Sequence, residues 1–295
     1  MNARAEPLRL RACGRSDPGC LREANEDAFY VSEEQGLFIV SDGMGGERAG
    51  SLASAMIVQT LPSQLLAERR ARNANLLDVS QAAVAEGLIR AIGFANDLLL
   101  DKTRDHPEVK GLGATVVAGL YAGGGVLALA HLGDSRAYLM RGGYLERLTS
   151  DHTVAEMLLQ TDHISRRQQR LHPSRHLLTR HVGKEDCPPA DAIQLSLEPG
   201  DRILLCTDGL TGMLDDRTIG TILWETEERE AACRLLIDRA NEAGGRDNIT
   251  AIIVDVGGPH PLHRRRRVVV RRAVGRPFVM PQSNPKQGAD LCHSI

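Results

Sequence analysis

Apolar positions recur along residues 8–256 in two rhythms, and each predicts a different kind of element. Short apolar runs closed by glycine and polar residues predict strands at Leu8–Cys13, Asp27–Val31, Leu37–Asp42, Ala114–Tyr121 and Val126–Leu132. The same pattern returns at Ala137–Arg141, Tyr144–Leu148, Ala192–Leu197, Arg202–Cys206 and Asn248–Val256. Apolar residues spaced by three and four predict helices over Leu52–Leu66, Leu76–Leu100, Ile219–Trp224 and Arg229–Ala243. Asp151–Gly183 breaks both rhythms; it is polar, histidine-rich and partly helical. Strands outnumber helices and do not alternate with them one for one, which predicts an α+β fold with antiparallel sheets.

Acidic residues sit where these strands end. In Gly36–Gly50 (GLFIVSDGMGGERAG) the run Phe38–Val40 delivers Asp42, and Gly43, Gly45 and Gly46 let the backbone bend away and leave the carboxylate bare. Asp208 follows Arg202–Thr207, Asp247 precedes Asn248–Val256, Asp134 follows Val126–Gly133, and Glu26-Asp27 precede Ala28–Val31. On its own, an Asp-Gly pair reads as an ordinary hairpin turn. Five acidic sites at strand ends can converge on one rim of a sheet, where two carboxylates about 4 Å apart repel by roughly 4 kcal/mol at an effective dielectric near 20. Such a rim is tolerable when it holds cations, and oxygen ligands favour magnesium or manganese over zinc.

The ordered motifs REANEDAF (Arg22–Phe29), SDGMGG (Ser41–Gly46), GLGAT (Gly111–Thr115), GDSRAYL (Gly133–Leu139), TDGL (Thr207–Leu210) and GGRDNIT (Gly244–Thr250) carry a family resemblance. Over about Arg9 to Val256 the chain resembles the bacterial branch of the type 2C (PPM) metal-dependent serine/threonine protein phosphatases. That resemblance implies a four-layer αββα sandwich, two antiparallel β-sheets flanked by helices, with the metals in a cleft at one end. It also implies a phosphoric monoester hydrolase acting on phosphoserine and phosphothreonine, opposing a bacterial Ser/Thr kinase. Two Mn2+ or Mg2+ ions are implied, with a possible third. Asp42 would bridge the two, the Gly43 carbonyl would serve one, and Asp208 and Asp247 the other. Glu26 and Asp27 would hold metal-bound waters, and Asp134 matches the third site. Two cations sharing one water lower its pKa, so a bridging hydroxide attacks phosphorus in line. Arg22 stands where the family keeps a phosphate-binding arginine, whose fork matches two phosphate oxygens. The chain departs from eukaryotic relatives at Met44, where they place a histidine thought to protonate the leaving oxygen. Bacterial relatives share the methionine, and the general acid is left open. Glu47 stands where bacterial relatives often carry histidine, and Asp151–Gly183 matches the family's mobile flap.

Composition and charge narrow the alternatives. A chain of 295 residues with 42% hydrophobic residues can fill a core and is not a disordered protein. Met1–Arg15 has no apolar segment, so no secretory signal is expected. No run reaches the roughly 20 apolar residues of a membrane span, and Leu112–Leu132, broken by glycines, predicts a hairpin. Six cysteines without a Cys-x-x-Cys pair predict reduced thiols and a cytoplasmic protein. Residues 257–295 hold eight Lys/Arg against Asp290, a tail of +7 that leaves −9 of the total −2 on residues 1–256. The boundary falls at Gly257-Gly258-Pro259. The organisation expected is therefore a phosphatase domain over 1–256, with its flap at 151–183, and a basic, disordered tail over 257–295. The tail suits contact with an acidic partner or surface, though a solvated appendage is the simpler reading.

The same residues admit competing chemistries. A two-metal nuclease would fit the acids, but the acidic body lacks a basic groove, and no nucleic-acid partner is expected. A catalytically silent binding module for phosphoproteins is disfavoured by the intact Asp42, Asp208 and Asp247. Ser41 lacks the Gly-x-Ser-x-Gly setting of a hydrolase nucleophile. Arg136 is expected to pair with a carboxylate, and Asn248 to orient Asp247 or cap its turn. His152, His163, His172, His176 and His181 are irregularly spaced and are expected to be solvated loop residues.

Overall fold

Strand β3 (Leu37–Met44) shows how the chain builds layers. Leu37 and Ile39 enter one apolar cluster and Phe38 and Val40 another, so the strand is buried on both faces. That is why it reads as an unbroken apolar run rather than an alternating one. The structure, a computed structural model, describes residues 8–45, 49–71, 81–109, 111–257 and 269–272.

Strand β3 lies in a sheet of order β2-β3-β5-β6-β9, with β2 Asp27–Ser32, β5 Val116–Tyr121, β6 Val126–Leu132 and β9 Asp191–Ser196. A two-residue strand, β4 (Gly113–Ala114), pairs with the end of β3. The second sheet has the order β1-β11-β10-β7-β8-β12. Its strands are β1 Leu10–Asp17, β7 Arg136–Arg141, β8 Tyr144–Arg147, β10 Arg202–Cys206, β11 Ile249–Val256 and β12 Val269–Arg272. All pairings are antiparallel except β12 on β8.

Three apolar clusters separate four layers. Helices α1 (Ala49–Ala71) and α2 (Gln81–Asp105) lay Ala53, Ile57, Leu61, Leu88, Ile92 and Leu99 on the first sheet. Phe38, Val40, Val117, Leu129, Leu205 and Val254 fill the space between the sheets. Beyond β4, the flap carries α3 (Val154–Gln160) and α4 (Arg166–Leu171). Helices α5 (Asp208–Thr211), α6 (Asp216–Glu225) and α7 (Arg229–Glu242) follow, and α6 and α7 cover the outer face of the second sheet with Ile219, Leu223, Leu236 and Ile237. Two mainly antiparallel sheets flanked by helices match the expected sandwich.

Most elements fall where the periodicity places them, with shifts at their ends. Strand β1 runs to Asp17 rather than Cys13, and the expected Ala114–Tyr121 strand is interrupted at Thr115. Thr115 turns its Oγ1 to the Asp42 amide (3.0 Å), and its own amide donates to the Asp42 carbonyl (2.8 Å). Of the tail expected to be disordered, only Gly257 and Val269–Arg272 lie among the described residues, and the latter form β12. Among the described residues no helix is long and apolar enough to cross a membrane.

Candidate active site

Adjacent strands bring the acids together. Asp27 begins β2 and stands in register with Asp42 on β3. Asp208 follows β10, Asp247 precedes β11, and Asp134 lies in the turn from β6 to β7, all at the same end of the sandwich. Burial first, then the charges of Asp27, Asp208, Asp134 and Asp247, push the Asp42 carboxyl well above the usual carboxylate range. Asp134 is raised in the same way by burial, Asp208 and Asp151, with Arg136 opposing. Burial lifts Asp27 to about 7 against bonds from Thr250 and Thr207 that favour its charged form. Each of these carboxyls is thus perturbed by the charge of others in the group.

The backbone around the rim is tight. A Cβ on Gly43 would lie 1.9 Å from the Gly50 carbonyl and 2.8 Å from that of Glu26, so only glycine lets α1 begin so close to β3. The Gly43 amide donates to the Glu26 carbonyl (3.2 Å), and Ser54 Oγ donates to the same oxygen (2.5 Å). The Asn248 backbone amide donates to Asp247 Oδ1 (3.0 Å), while its side chain serves the neighbouring loop. Its Oδ1 accepts from the Glu26 amide (2.7 Å), and its Nδ2 donates to the Pro18 and Ala24 carbonyls (3.0 and 2.9 Å). It therefore pins the loop that carries Arg22 and Glu26. Thr207 and Thr250 donate to Asp27 Oδ2 at 2.8 and 2.6 Å. Ser41 is buried and donates to the Thr115 carbonyl, a structural use rather than a nucleophilic one.

Asp27 Oδ1 is buried with no hydrogen-bond partner. A buried, unpartnered carboxylate oxygen in a rim of like charges is unfavourable unless a cation or its water shell completes it. The donor set is all oxygen, so the residues fit a hard divalent cation. Arg22 lies at the edge of this rim, its Nη2 donating to Asp247 Oδ2 at 2.9 Å, and the side chain is half exposed. From the flap, His176 Nδ1 reaches to 3.6 Å from Asp208 Oδ2.

Arg136 pairs with a carboxylate as expected: Nε and Nη2 hold Asp151 at 2.9 and 2.7 Å, and Arg147 adds a 2.5 Å contact. Burial pushes the Asp151 carboxyl up, but Arg136 and Arg147 more than offset it and hold it at about 2. The flap histidines divide. His163 and His176 are exposed, whereas His152 is buried and stacked on His131, with ring centroids 4.6 Å apart. The expectation of solvated histidines fails at His152 because its backbone pairs with Gly133 and Thr179, which draws the ring under the flap. His131, Asp191 and Arg180 complete this group and had not been singled out from sequence. The available signal was His131 itself, an imidazole in an otherwise apolar strand, which requires a polar partner.

Known proteins share this fold. The family model described as Protein phosphatase 2C matches residues 22–241. Serine/threonine protein phosphatase PstP of Mycobacterium tuberculosis is 35% identical over 249 residues, 84% of this chain and 45% of its own length. The chain thus spans about half of that relative. Serine/threonine phosphatase stp of Listeria monocytogenes is 34% identical over 244 residues, covering 82% of this chain and 94% of its own. The crystal structure of M. tuberculosis PstP/Ppp superposes with a TM-score of 0.75 at 32% identity, over 84% of this chain and 99% of that one. The PstP catalytic domain in complex with two manganese ions gives 0.73 at 31% identity, over 85% and 100%. With the motif residues gathered at one end of such a sandwich, and the match running through most of its length, this chain belongs to the protein phosphatase 2C family.

Proposed function

We propose that the chain is a phosphoprotein phosphatase that hydrolyses phosphoserine and phosphothreonine with two divalent cations, Mn2+ or Mg2+, held on the carboxylate rim. The observation that carries this reading is the set of mutually perturbed carboxyls around Asp42, with the Asp27 oxygen left unpartnered beside it. Asp42, the Gly43 carbonyl, Asp208 and Asp247 would hold these cations. Glu26 and Asp27 would hold their water shell, and Asp134 would serve a third, weaker position. When bound, the cations neutralise the rim and the phosphoryl charge and activate water for in-line attack. The rest falls to the protein. Arg22 clamps two phosphate oxygens with its planar fork once phosphate competes for it with Asp247. Thr207 and Thr250 hold Asp27 in place, and the flap, with His176 at its cluster-facing edge, sets which phosphopeptides reach the rim.

Relatives bearing phosphatase names, and the two-manganese complex of one of them, support this reading. We place the activity in the cytoplasm, opposing a Ser/Thr kinase, in keeping with the free thiols of the described cysteines. The basic residues of 257–295 are proposed to steer the enzyme towards acidic phosphoproteins. A preference for an acidic phosphoprotein over an aryl phosphate that did not weaken with added salt would exclude that role. The test of the main reading is phosphate release from a phosphothreonyl peptide with Mn2+ and after chelation. Mn2+-dependent release is expected. Cleavage of nucleic acid without phosphate release from the peptide would point to the nuclease instead.

A further inference from the structure

The buried group at the root of the flap adjoins the turn that carries Asp134. His152 holds the Gly133 peptide from both sides: its amide donates to the Gly133 carbonyl (2.9 Å), and its Nδ1 faces the Gly133 amide (3.1 Å). A backbone N–H can only donate, so Nδ1 presents its lone pair and the ring proton resides on Nε2. Nε2 then donates to Asp191 Oδ2 (3.2 Å). Arg180 Nη1 lies 2.9 Å from the same nitrogen and donates to Asp191 Oδ1 at 2.7 Å. The ring is buried and stacks on His131, whose strand position is in register with Asp191. Ligand-type atoms of His131, His152 and Asp191 come within 4.8 Å of one another. The Arg180 guanidinium already supplies the positive charge that Asp191 pairs with there, so the group is not a cation site.

The opposite side of the turn is equally constrained. Gly133 has φ +104°, and a Cβ there would lie 2.6 Å from Thr115 Cγ2. Thr115 Oγ1 meets Ser135 Oγ at 2.7 Å and accepts from the Asp42 amide at 3.0 Å. The segment Gly133–Ser135 is therefore clamped between the strand that carries Asp42 and the root of the flap. We propose that His152 is a positioning residue for Asp134: through the Gly133 amide it fixes the turn that aims the Asp134 carboxylate at the rim. Asp191 and Arg180 orient the ring in turn. Thr179, whose amide donates to the His152 carbonyl (2.8 Å), brings the far end of the flap to the same point. The inference rests on the reading of Asp134 as a ligand of the weaker cation position.

The test separates the two ring nitrogens. Asparagine at 152 can place its amide oxygen where Nδ1 accepts from Gly133, whereas glutamine can place its nitrogen where Nε2 meets Asp191. Mn2+ binding by the full-length chain is titrated calorimetrically for wild type, Asp134→Asn, His152→Asn and His152→Gln, and each cation-free variant is also melted. Asp134→Asn is expected to remove the weakest binding event and spare the two tight ones. His152→Gln should weaken that same event by about 10–100-fold, the usual effect of losing a residue that orients a ligand, while His152→Asn keeps it within about tenfold. Equal effects of Asn and Gln, or weakening that follows melting temperature, would overturn the positioning role. Loss of no binding event in Asp134→Asn would instead overturn the underlying assignment of Asp134.

Discussion

Replacing Asp27 by asparagine should stabilise the cation-free protein while weakening its response to cations. The carboxyl is lifted from 3.8 to about 7, by burial first and by the charges of Asp208 and Asp247 as well. Three pKa units correspond to about 4 kcal/mol, an upper bound because Asp42 stands opposite and shares the titration. The sign follows from the raised value. The stability is fully present below the unfolded-state pKa near 4 and is lost as pH rises through 7, where the native state is forced to ionise a buried group. Asparagine removes that loss and still offers an oxygen to Thr207 and Thr250. At 2–4 °C per kcal/mol for a domain of this size, the ceiling is about 8–16 °C, and a rise of several degrees at pH 8 is expected. Saturating Mn2+ should reverse the order, since a ligand at 1,000 times its Kd adds about 4 kcal/mol to a native state that binds it fully. The assay is thermal unfolding of both proteins from pH 4 to 8, with chelator and with Mn2+. A lower chelator-treated Tm for Asp27→Asn at pH 8, or a shift independent of pH, would refute the reasoning.

Other substitutions test other parts of the structure. Arg22→Ala should raise KM for a phosphopeptide more than it lowers kcat, with Arg22→Lys rescuing only in part; unchanged steady-state kinetics would return Arg22 to the surface. Arg202 is fully buried, binds Asp255 at 2.6 and 3.1 Å, and donates to the Leu223 carbonyl in the last turn of α6 and to the Thr226 and Glu227 carbonyls just beyond it. Arg202→Ala should cost about 3–5 kcal/mol in denaturant unfolding, and a loss below about 1 kcal/mol would contradict that network. Asp151 is held at about 2, so its contribution is present above pH 4 and lost as pH falls towards 2. Asp151→Asn should therefore be less stable at neutral pH and show a flatter acid limb in pH-dependent unfolding; a limb as steep as wild type would disprove the assignment.

The strands were legible because both faces of most of them are buried. Ile203 and Leu205 of β10 face the other sheet while Leu204 and Cys206 face the helices, and such runs stand out against polar turns. The metal-ligand candidates were legible because each acid directly adjoins such a run. What stayed hidden depends on distant pairing. The register that sets Asp27 against Asp42 follows from strand alignment, and no local pattern reports it. The expected β1 stops at Cys13 because Gly14-Arg15-Ser16-Asp17 carries no apolar residue, at an edge of the sheet. The few valines of β12 sit among arginines and show no alternation to recognise. His152 looked like one polar loop residue among several, since its burial is made by Gly133, Thr179 and His131, all far from it in the chain.

The central claim is that carboxylates around Asp42 hold the cations on which phosphomonoester hydrolysis depends. Phosphate release from a phosphothreonyl peptide, followed through a Mn2+ titration for wild type and Asp42→Asn, tests it most directly. Wild-type turnover should rise from the chelated baseline and saturate. Asp42→Asn, shown to be folded by its melting transition, should fall short by about three orders of magnitude at every Mn2+ concentration, several kcal/mol of lost activation. Turnover of Asp42→Asn within about tenfold of wild type, or wild-type turnover that survives chelation, would contradict the account.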